Sequence, residues 1–293
     1  MNAREEIELV DTTSSCASCG VAEVDDIKLN KCDDCDLVEY CSNECQRDHK
    51  SQHEDACTMR AAELRRDDLL FKQPASTHLG DCPICCLPLP YKLEDSTLML
   101  CCFKVICDGC AVANVRRLKE GNLQPNCLFC REPVSLTTTK LMKYHMKRVN
   151  ANDPHALRLH GQEHSDKGDD RKAFEFYTKA AQLGDVEAHL MLSFLYHKGE
   201  GVEEDSRKAR YHLEEAAIGG HPSARYNLGL EEWRSGNIEK AVKHWIIAAT
   251  QGEDSAIKAL MEMFKRGFVS KEDLAAALRA HQAAVDATKS PQR

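Results

Sequence analysis

The sequence predicts a multidomain protein in which two small, cysteine-rich α+β modules precede an all-α solenoid of helical hairpins. Two observations support this fold class. All sixteen cysteines lie between Cys16 and Cys130. Beyond residue 150 the chain becomes rich in Ala, and one helical pattern recurs at intervals of 36 and 32 residues, as at Ala173, Ala209 and Ala241. The two patterns do not overlap, so the architectures are joined end to end.

The composition indicates an intracellular protein, cytoplasmic or nuclear or both. The start, MNAREEIELV, lacks a basic segment followed by an apolar one, and no eighteen consecutive residues are apolar. Residues 1–13 are expected to form a flexible N-terminal tail. In a reducing compartment, closely spaced cysteine pairs are more often metal ligands than disulfides.

The charge argues against nucleic acid as a partner. The formal net charge is -8, and residues 16–57 carry four Lys/Arg against eleven Asp/Glu. Proteins that bind phosphate backbones gain affinity from clustered Lys and Arg, which is the opposite pattern. The cysteine-rich region therefore need not bind DNA.

The first cysteine cluster offers eight candidate ligands in four pairs, enough for two tetrahedral metal ions. A segment of about 40 residues rarely folds without a metal or crosslink. A structural zinc supplies on the order of 10 kcal/mol, and the pair spacings suit zinc. The pairs are Cys16/Cys19, Cys32/Cys35, Cys41/Cys45 and His53/Cys57.

The strings CASCG, KCDDC and YCSNECQRDHKSQHEDAC resemble a MYND zinc finger, here over residues 14–59. The resemblance implies interleaved ligation and a protein-binding module that often takes short proline-containing peptides. His49 stands where many such fingers carry Trp, so it is not expected to be a ligand. The implied ligand sets are Cys16, Cys19, Cys41 and Cys45 for one ion, and Cys32, Cys35, His53 and Cys57 for the other.

A helical linker is expected over residues 60–79, and a second cluster follows at DCPICCLPLP, CCFKVICDGC and NCLFCREPV. These strings resemble an atypical RING domain over residues 80–135. The resemblance implies a cross-braced pair of zinc ions. One would be held by Cys82, Cys85, Cys107 and Cys110, and the other by Cys101, Cys102, Cys127 and Cys130.

The second of these sites departs from the common RING pattern. Lys104 stands at the usual histidine position, and a protonated lysine has no lone pair for a metal. Adjacent Cys101 and Cys102 would replace it, or Cys86 could substitute for one of them. A RING-like fold with a single zinc remains the alternative. With both sites intact the chain binds about four zinc ions.

The RING resemblance implies docking of a ubiquitin-conjugating enzyme. Ile84 and Pro133 match apolar contacts to that enzyme, and Arg131 matches the cation that bridges it to ubiquitin. The function expected is a RING-type ubiquitin ligase or ligase adaptor that acts without a covalent intermediate, and no catalytic nucleophile or base is predicted. The alternative is a non-enzymatic scaffold whose RING-like module only docks proteins.

After a linker helix over residues 136–151, four helical hairpins are predicted over residues 152–290. The strings RKAFEFYTKAAQLGD, RKARYHLEEAAIGGH and EKAVKHWIIAATQGE are three versions of one helix and its exit. Tyr177, Leu213 and Trp245 are predicted to fill the gap between helices. The loop YHKGEGVEEDSRKA resembles the signature of Sel-one-like repeats, relatives of tetratricopeptides, which implies a scaffold for protein partners. His160, His189 and His221 are expected to be packing or surface residues.

Overall fold

The computed structural model describes residues 14–24, 26–133 and 137–289. The predicted N-terminal tail, residues 1–13, lies outside them. The chain divides into two compact units, one that ends at Leu70 and one that begins at Phe71. Within the described residues, no helix is both long enough and apolar enough to cross a membrane.

The first unit is built on a short antiparallel hairpin and one helix. Strand β1, Asn30–Lys31, pairs with β2, Glu39–Tyr40, and helix α1 runs from Asn43 to Phe71. His53 and Cys57 are four residues apart on α1, so both side chains lie on one face of the helix. The helix thereby brings two ligand candidates to the hairpin.

The second unit begins with a larger hairpin and a helix. Strand β3, Ser96–Met99, pairs antiparallel with β4, Lys104–Cys107, in the register Ser96↔Cys107. Helix α2, Asp108–Glu120, follows β4 directly. Ile106 and Leu89 are buried here among Cys82, Cys107 and Cys110, so thiols form much of this small core.

The remainder of the second unit is helical. Helix α3, Thr138–Asn150, precedes four hairpins, as predicted. Their helices are α4, Pro154–Asp166, with α5, Asp170–Gln182; α6, Val186–Lys198, with α7, Ser206–Ile218; α8, Pro222–Arg234, with α9, Ile238–Thr250; and α10, Asp254–Lys265, with α11, Lys271–Ala287.

Neighbouring helices pack with small residues on one helix against a large aromatic or leucine side chain on the next. Tyr177, Leu213 and Trp245 are all buried, as the repeat pattern predicted. Gly229 lies under the Trp245 indole, and a Cβ added there would stand 2.7 Å from Trp245 Cδ1. Because interiors are close-packed, only a glycine allows these two helices to approach so closely.

The longer interval in the second hairpin comes from the loop between α6 and α7. Gly201 has φ +69°, and a Cβ there would lie 2.7 Å from the backbone nitrogen of Arg171 in the neighbouring hairpin. Glycine tolerates both the left-handed backbone and the close approach. The extra residues thus pack against the preceding repeat.

The second cysteine-rich segment and the linker before it are fixed to the hairpins. Phe103, between β3 and β4, is buried in the same core as Val149 and Leu157, and Arg148 donates to the Cys102 carbonyl at 2.5 Å. In the linker, His78 N–H donates to the Gly220 carbonyl at 3.1 Å. Both segments therefore belong to one packed unit with the solenoid.

Candidate metal centres

The structure gathers the predicted ligands into four clusters. In each cluster the candidate ligand atoms lie within 4.8 Å of one another, and none of the sixteen cysteines forms a disulfide. The clusters are Cys16, Cys19, Cys41, Cys45; Cys32, Cys35, His53, Cys57; Cys82, Cys85, Cys107, Cys110; and Cys101, Cys102, Cys127, Cys130. These are the same four sets that the two resemblances implied.

The spacing between sulfur atoms fits zinc. Sγ atoms are 3.5 Å apart in Cys19 and Cys41, and 3.7 Å apart in Cys102 and Cys127. Four sulfurs at the usual Zn–S distance of about 2.3 Å form a tetrahedron with edges of about 3.8 Å. A disulfide would need about 2.05 Å. The donor set and its dimensions therefore suit tetrahedral zinc, and the prediction of several zinc ions is confirmed.

Four of the cysteine pairs share one backbone turn. In each, the residue after the second cysteine has a left-handed backbone, and its N–H donates to the carbonyl of the first cysteine at 2.8–3.1 Å. This turn points both sulfurs of the C-x-x-C pair to one side. The left-handed residues are Gly20, Asp36, Cys86 and Arg131.

The thiols of one cluster cannot all ionise without a cation. Burial opposes ionisation of Cys16, yet backbone N–H donors bring its pKa down to about 6. In the same cluster the Cys41 thiol hydrogen-bonds to Cys19 and donates to Cys45, and these bonds raise the pKa of Cys41 to about 12. A divalent ion removes this conflict because it favours the thiolate at every position.

The four clusters contain one histidine, which lies close to a cysteine of its own cluster. His53 Nε2 lies 3.1 Å from Cys35 Sγ, and the His53 side chain is buried. His49 instead directs Nδ1 at the Tyr40 hydroxyl, 3.1 Å away, which agrees with its expected role as a non-ligand. Tyr40 is buried, so His49 anchors the hairpin beside the metal cluster.

The last of the four clusters contains two cysteines that are adjacent in sequence. The group that contains Cys127 and Cys130 is completed by Cys101 and Cys102 rather than by Cys86. Cys86 is exposed at the left-handed position after Cys85, φ +57°.

The lysine at the usual histidine position points elsewhere. Lys104 places its ammonium 5.1 Å from the centre of the Phe129 ring.

The three residues matched to conjugating-enzyme contacts lie on the surface. Ile84 is 42% exposed, and Arg131 and Pro133 are also exposed. Sequence reasoning missed Val112 and Val115, each 50% exposed on α2. Their signal was an apolar pair three residues apart just after Cys110, which places both on one helix face.

Comparison with known proteins agrees with two of these modules. The family model for the MYND finger matches residues 16–57, and the model for the Sel1 repeat matches 154–185, 186–221 and 222–253. The fourth hairpin lies outside the matched repeats. The chain thus contains a MYND finger and Sel1 repeats, and both are protein-interaction modules.

Two curated relatives each match about a third of this chain. The alginate biosynthesis protein AlgK of Pseudomonas syringae pv. tomato is 34% identical over 105 residues, 34% of this chain and 22% of that protein. Chitin synthase regulatory factor 4 of Schizosaccharomyces pombe is 32% identical over 91 residues, 31% of this chain and 14% of that protein. The matched segment is therefore less than a quarter of either relative.

The chain is also similar to solved structures over part of its length. A Sel1 repeat protein from Oxalobacter formigenes is 26% identical and covers 61% of this chain and 73% of its own, with a TM-score of 0.45. A protective antigen of uropathogenic Escherichia coli with an SLR fold is 20% identical and covers 53% and 34%, with a TM-score of 0.40.

Proposed function

We propose that this protein is a zinc-dependent RING-type ubiquitin ligase or ligase adaptor. In this proposal the RING-like module docks a ubiquitin-conjugating enzyme, while the MYND finger and the Sel1 repeats hold partner proteins. Four zinc ions, bound by the four clusters described above, would maintain the two cysteine-rich modules. The ions are structural, because every coordination position is filled by protein.

The apolar surface of the RING-like module is the observation that carries this proposal. Ile84 lies in the turn between Cys82 and Cys85, and nearly half of it faces solvent. Val112 and Val115 add exposed apolar area on the helix that supplies Cys110. Apolar side chains that remain exposed in this small module support a docking surface for another protein.

Arg131 supports the same role. Its left-handed backbone, φ +59°, is part of the turn around the last metal cluster. The metal site therefore fixes the point on the backbone from which the Arg131 side chain extends. A planar guanidinium with five donors suits a bridge between two proteins. The module would accelerate ubiquitin transfer by positioning alone, without a nucleophile of its own.

The MYND finger offers a separate place for a partner. A shallow groove of about 380 Å³ runs beside the β1–β2 hairpin and includes Lys31, Leu37 and Val38. We assign this groove to short proline-containing peptides. Failure of such peptides to shift hairpin resonances in NMR titrations would remove the assignment. The cytoplasm or nucleus is the proposed location.

An ubiquitination assay tests the ligase proposal. The zinc-loaded chain is incubated with activating enzyme, ubiquitin and a broad panel of conjugating enzymes. We expect ubiquitin chains with at least one conjugating enzyme, and a loss of tenfold or more for Ile84→Ala and Arg131→Ala. Leu183→Ala, which truncates an apolar residue 51% exposed in the solenoid, serves as the matched control.

The second candidate is a scaffold without ligase activity. It is favoured by Phe103, which ties the RING-like module to the solenoid core and suits a fixed structural role. If no conjugating enzyme of the panel yields ubiquitin chains, the scaffold is the better account. If Ile84→Ala forms chains as fast as wild type, the proposed docking surface is wrong.

A further inference from the structure

A polar cluster lies where α3 meets α4, remote in sequence from the cysteines. His145 is on α3, and His160 and Glu163 are on α4. His145 is buried, whereas the Glu163 side chain is 36% exposed and keeps one side of the cluster open to water. Two imidazoles and a carboxylate are ligand types that zinc commonly takes.

The distances in this cluster suit one small cation. His145 Nε2 is 3.9 Å from Glu163 Oε1, and His160 Nδ1 is 3.2 Å from Glu163 Oε2. Tetrahedral zinc with nitrogen and oxygen ligands separates neighbouring donors by about 3.4 Å. The two imidazole rings are tilted by 49° with centres 5.4 Å apart, so they are not stacked face to face.

The other repeats show that the fold does not require a histidine at the position of His160. Counting from Ala156, Ala188 and Ala224, the position of His160 is Leu192 in the second repeat and Leu228 in the third. Both leucines are buried in the core. A histidine has therefore replaced a core leucine at the point where His145 and Glu163 lie nearby.

His145 also has an unmet bonding capacity. Its Nε2 is shielded from solvent and has no hydrogen-bond partner, although it faces the Glu163 carboxylate. Burial lowers the pKa of His145 despite that neighbouring charge, so the imidazole is neutral near pH 7. A neutral imidazole is the form that binds metals.

We propose that His145, His160 and Glu163 form an additional site for a divalent cation of the zinc type, with water at the open position. The site joins α3 to the first repeat. It differs from the four thiolate clusters in having only nitrogen and oxygen ligands and an exchangeable position, so its ion should leave first.

A second histidine cluster is the natural control. His78 and His221 both face Glu187, at 3.4 and 2.9 Å. Their rings, however, stack at 12° with centres 4.3 Å apart, although the candidate ligand atoms of this trio lie within 4.8 Å of one another. His221 Nδ1 also accepts the Ala224 N–H, which leaves Nε2 protonated and bonded to Glu187. In this cluster His221 and Glu187 are hydrogen-bonded to each other, and the ring of His78, from the linker, stacks on that of His221.

Native mass spectrometry of the full chain during stepwise addition of Zn²⁺ tests the proposal. Wild type should take one ion beyond those of the thiolate clusters. His160→Leu, which copies the other repeats, and Glu163→Gln, which preserves the side-chain shape, should each lose that ion while circular dichroism stays unchanged. His78→Ala should retain it.

Cobalt gives an independent readout. Co²⁺ added to the zinc-loaded protein should produce visible ligand-field bands without thiolate charge transfer, and these bands should be absent in Glu163→Gln. The proposal is overturned if wild type takes no additional ion at saturating Zn²⁺. It is equally overturned if His160→Leu and Glu163→Gln still bind the ion, or if His78→Ala alone loses it.

Discussion

His244 shows how single residues of the solenoid carry its response to pH. The residue is 1% exposed on α9, and its Nδ1 has no hydrogen-bond partner. Burial, followed by the nearby charge of Arg225, lowers the pKa of His244 to about 3. Glu232 opposes the shift, while Arg210 and Lys240 add to it, so the imidazole stays neutral in the folded chain.

Replacing His244 should make the free energy of unfolding less dependent on pH in acid. Below the unfolded-state pKa of about 6.5, the unfolded chain binds a proton that the folded chain does not. The free energy of unfolding therefore decreases as the pH is lowered. We expect wild type to lose up to about 1.4 kcal/mol per pH unit relative to His244→Leu between pH 6.5 and 4. Urea unfolding at several pH values measures this.

The control for this experiment is His197→Leu, which removes an exposed imidazole from the same solenoid. Its unfolding free energy should follow that of wild type across the range. Parallel pH curves for wild type and His244→Leu would contradict the account of the buried imidazole.

At the scale of elements, the turn between β3 and β4 links a metal cluster to the solenoid. Cys101 and Cys102 precede Phe103, whose left-handed backbone, φ +56°, turns its ring into the core beside Val149 and Leu157. The ring of His155, on α4, lies 5.9 Å from that of Phe103. The cluster that contains Cys101 and Cys102 therefore positions Phe103, which packs in the core of the first repeat.

Truncation of Phe103 should loosen the start of the solenoid. We expect Phe103→Ala to cost about 3 kcal/mol or more, as buried phenylalanine truncations do. Hydrogen exchange should show lost protection in α3 and α4, with α10 and α11 less affected. Phe268→Ala, at a residue 56% exposed, should change stability by less than about 0.5 kcal/mol. Equal protection loss along all hairpins would contradict this local role.

At the scale of the whole molecule, the sequence predicted that a MYND finger precedes Sel1 repeats, because local spacing encodes both modules. Ligand pairs lie a few residues apart, and each repeat supplies its own alanines and glycine. The cap of α11 is equally local, because Ser270 Oγ accepts the N–H of Asp273, three residues on, at 3.0 Å.

The sequence did not reveal contacts that depend on packing between modules. Phe103 in the solenoid core and the approach of His145 to Glu163 join segments whose separation carries no periodic signal. The choice of Cys101 and Cys102 over Cys86 also needed the fold, because it depends on which thiol the turn leaves in solvent.

The central claim is that thiolate-bound zinc organises residues 16–130. The most direct test combines zinc counting with thiol alkylation on protein dialysed extensively against metal-free buffer. We predict four retained ions and rapid alkylation of Cys86 alone, with all sixteen cysteines reacting once a strong chelator is added under denaturing conditions. Fewer than four ions, or rapid alkylation of the clustered cysteines in the dialysed protein, would contradict the account.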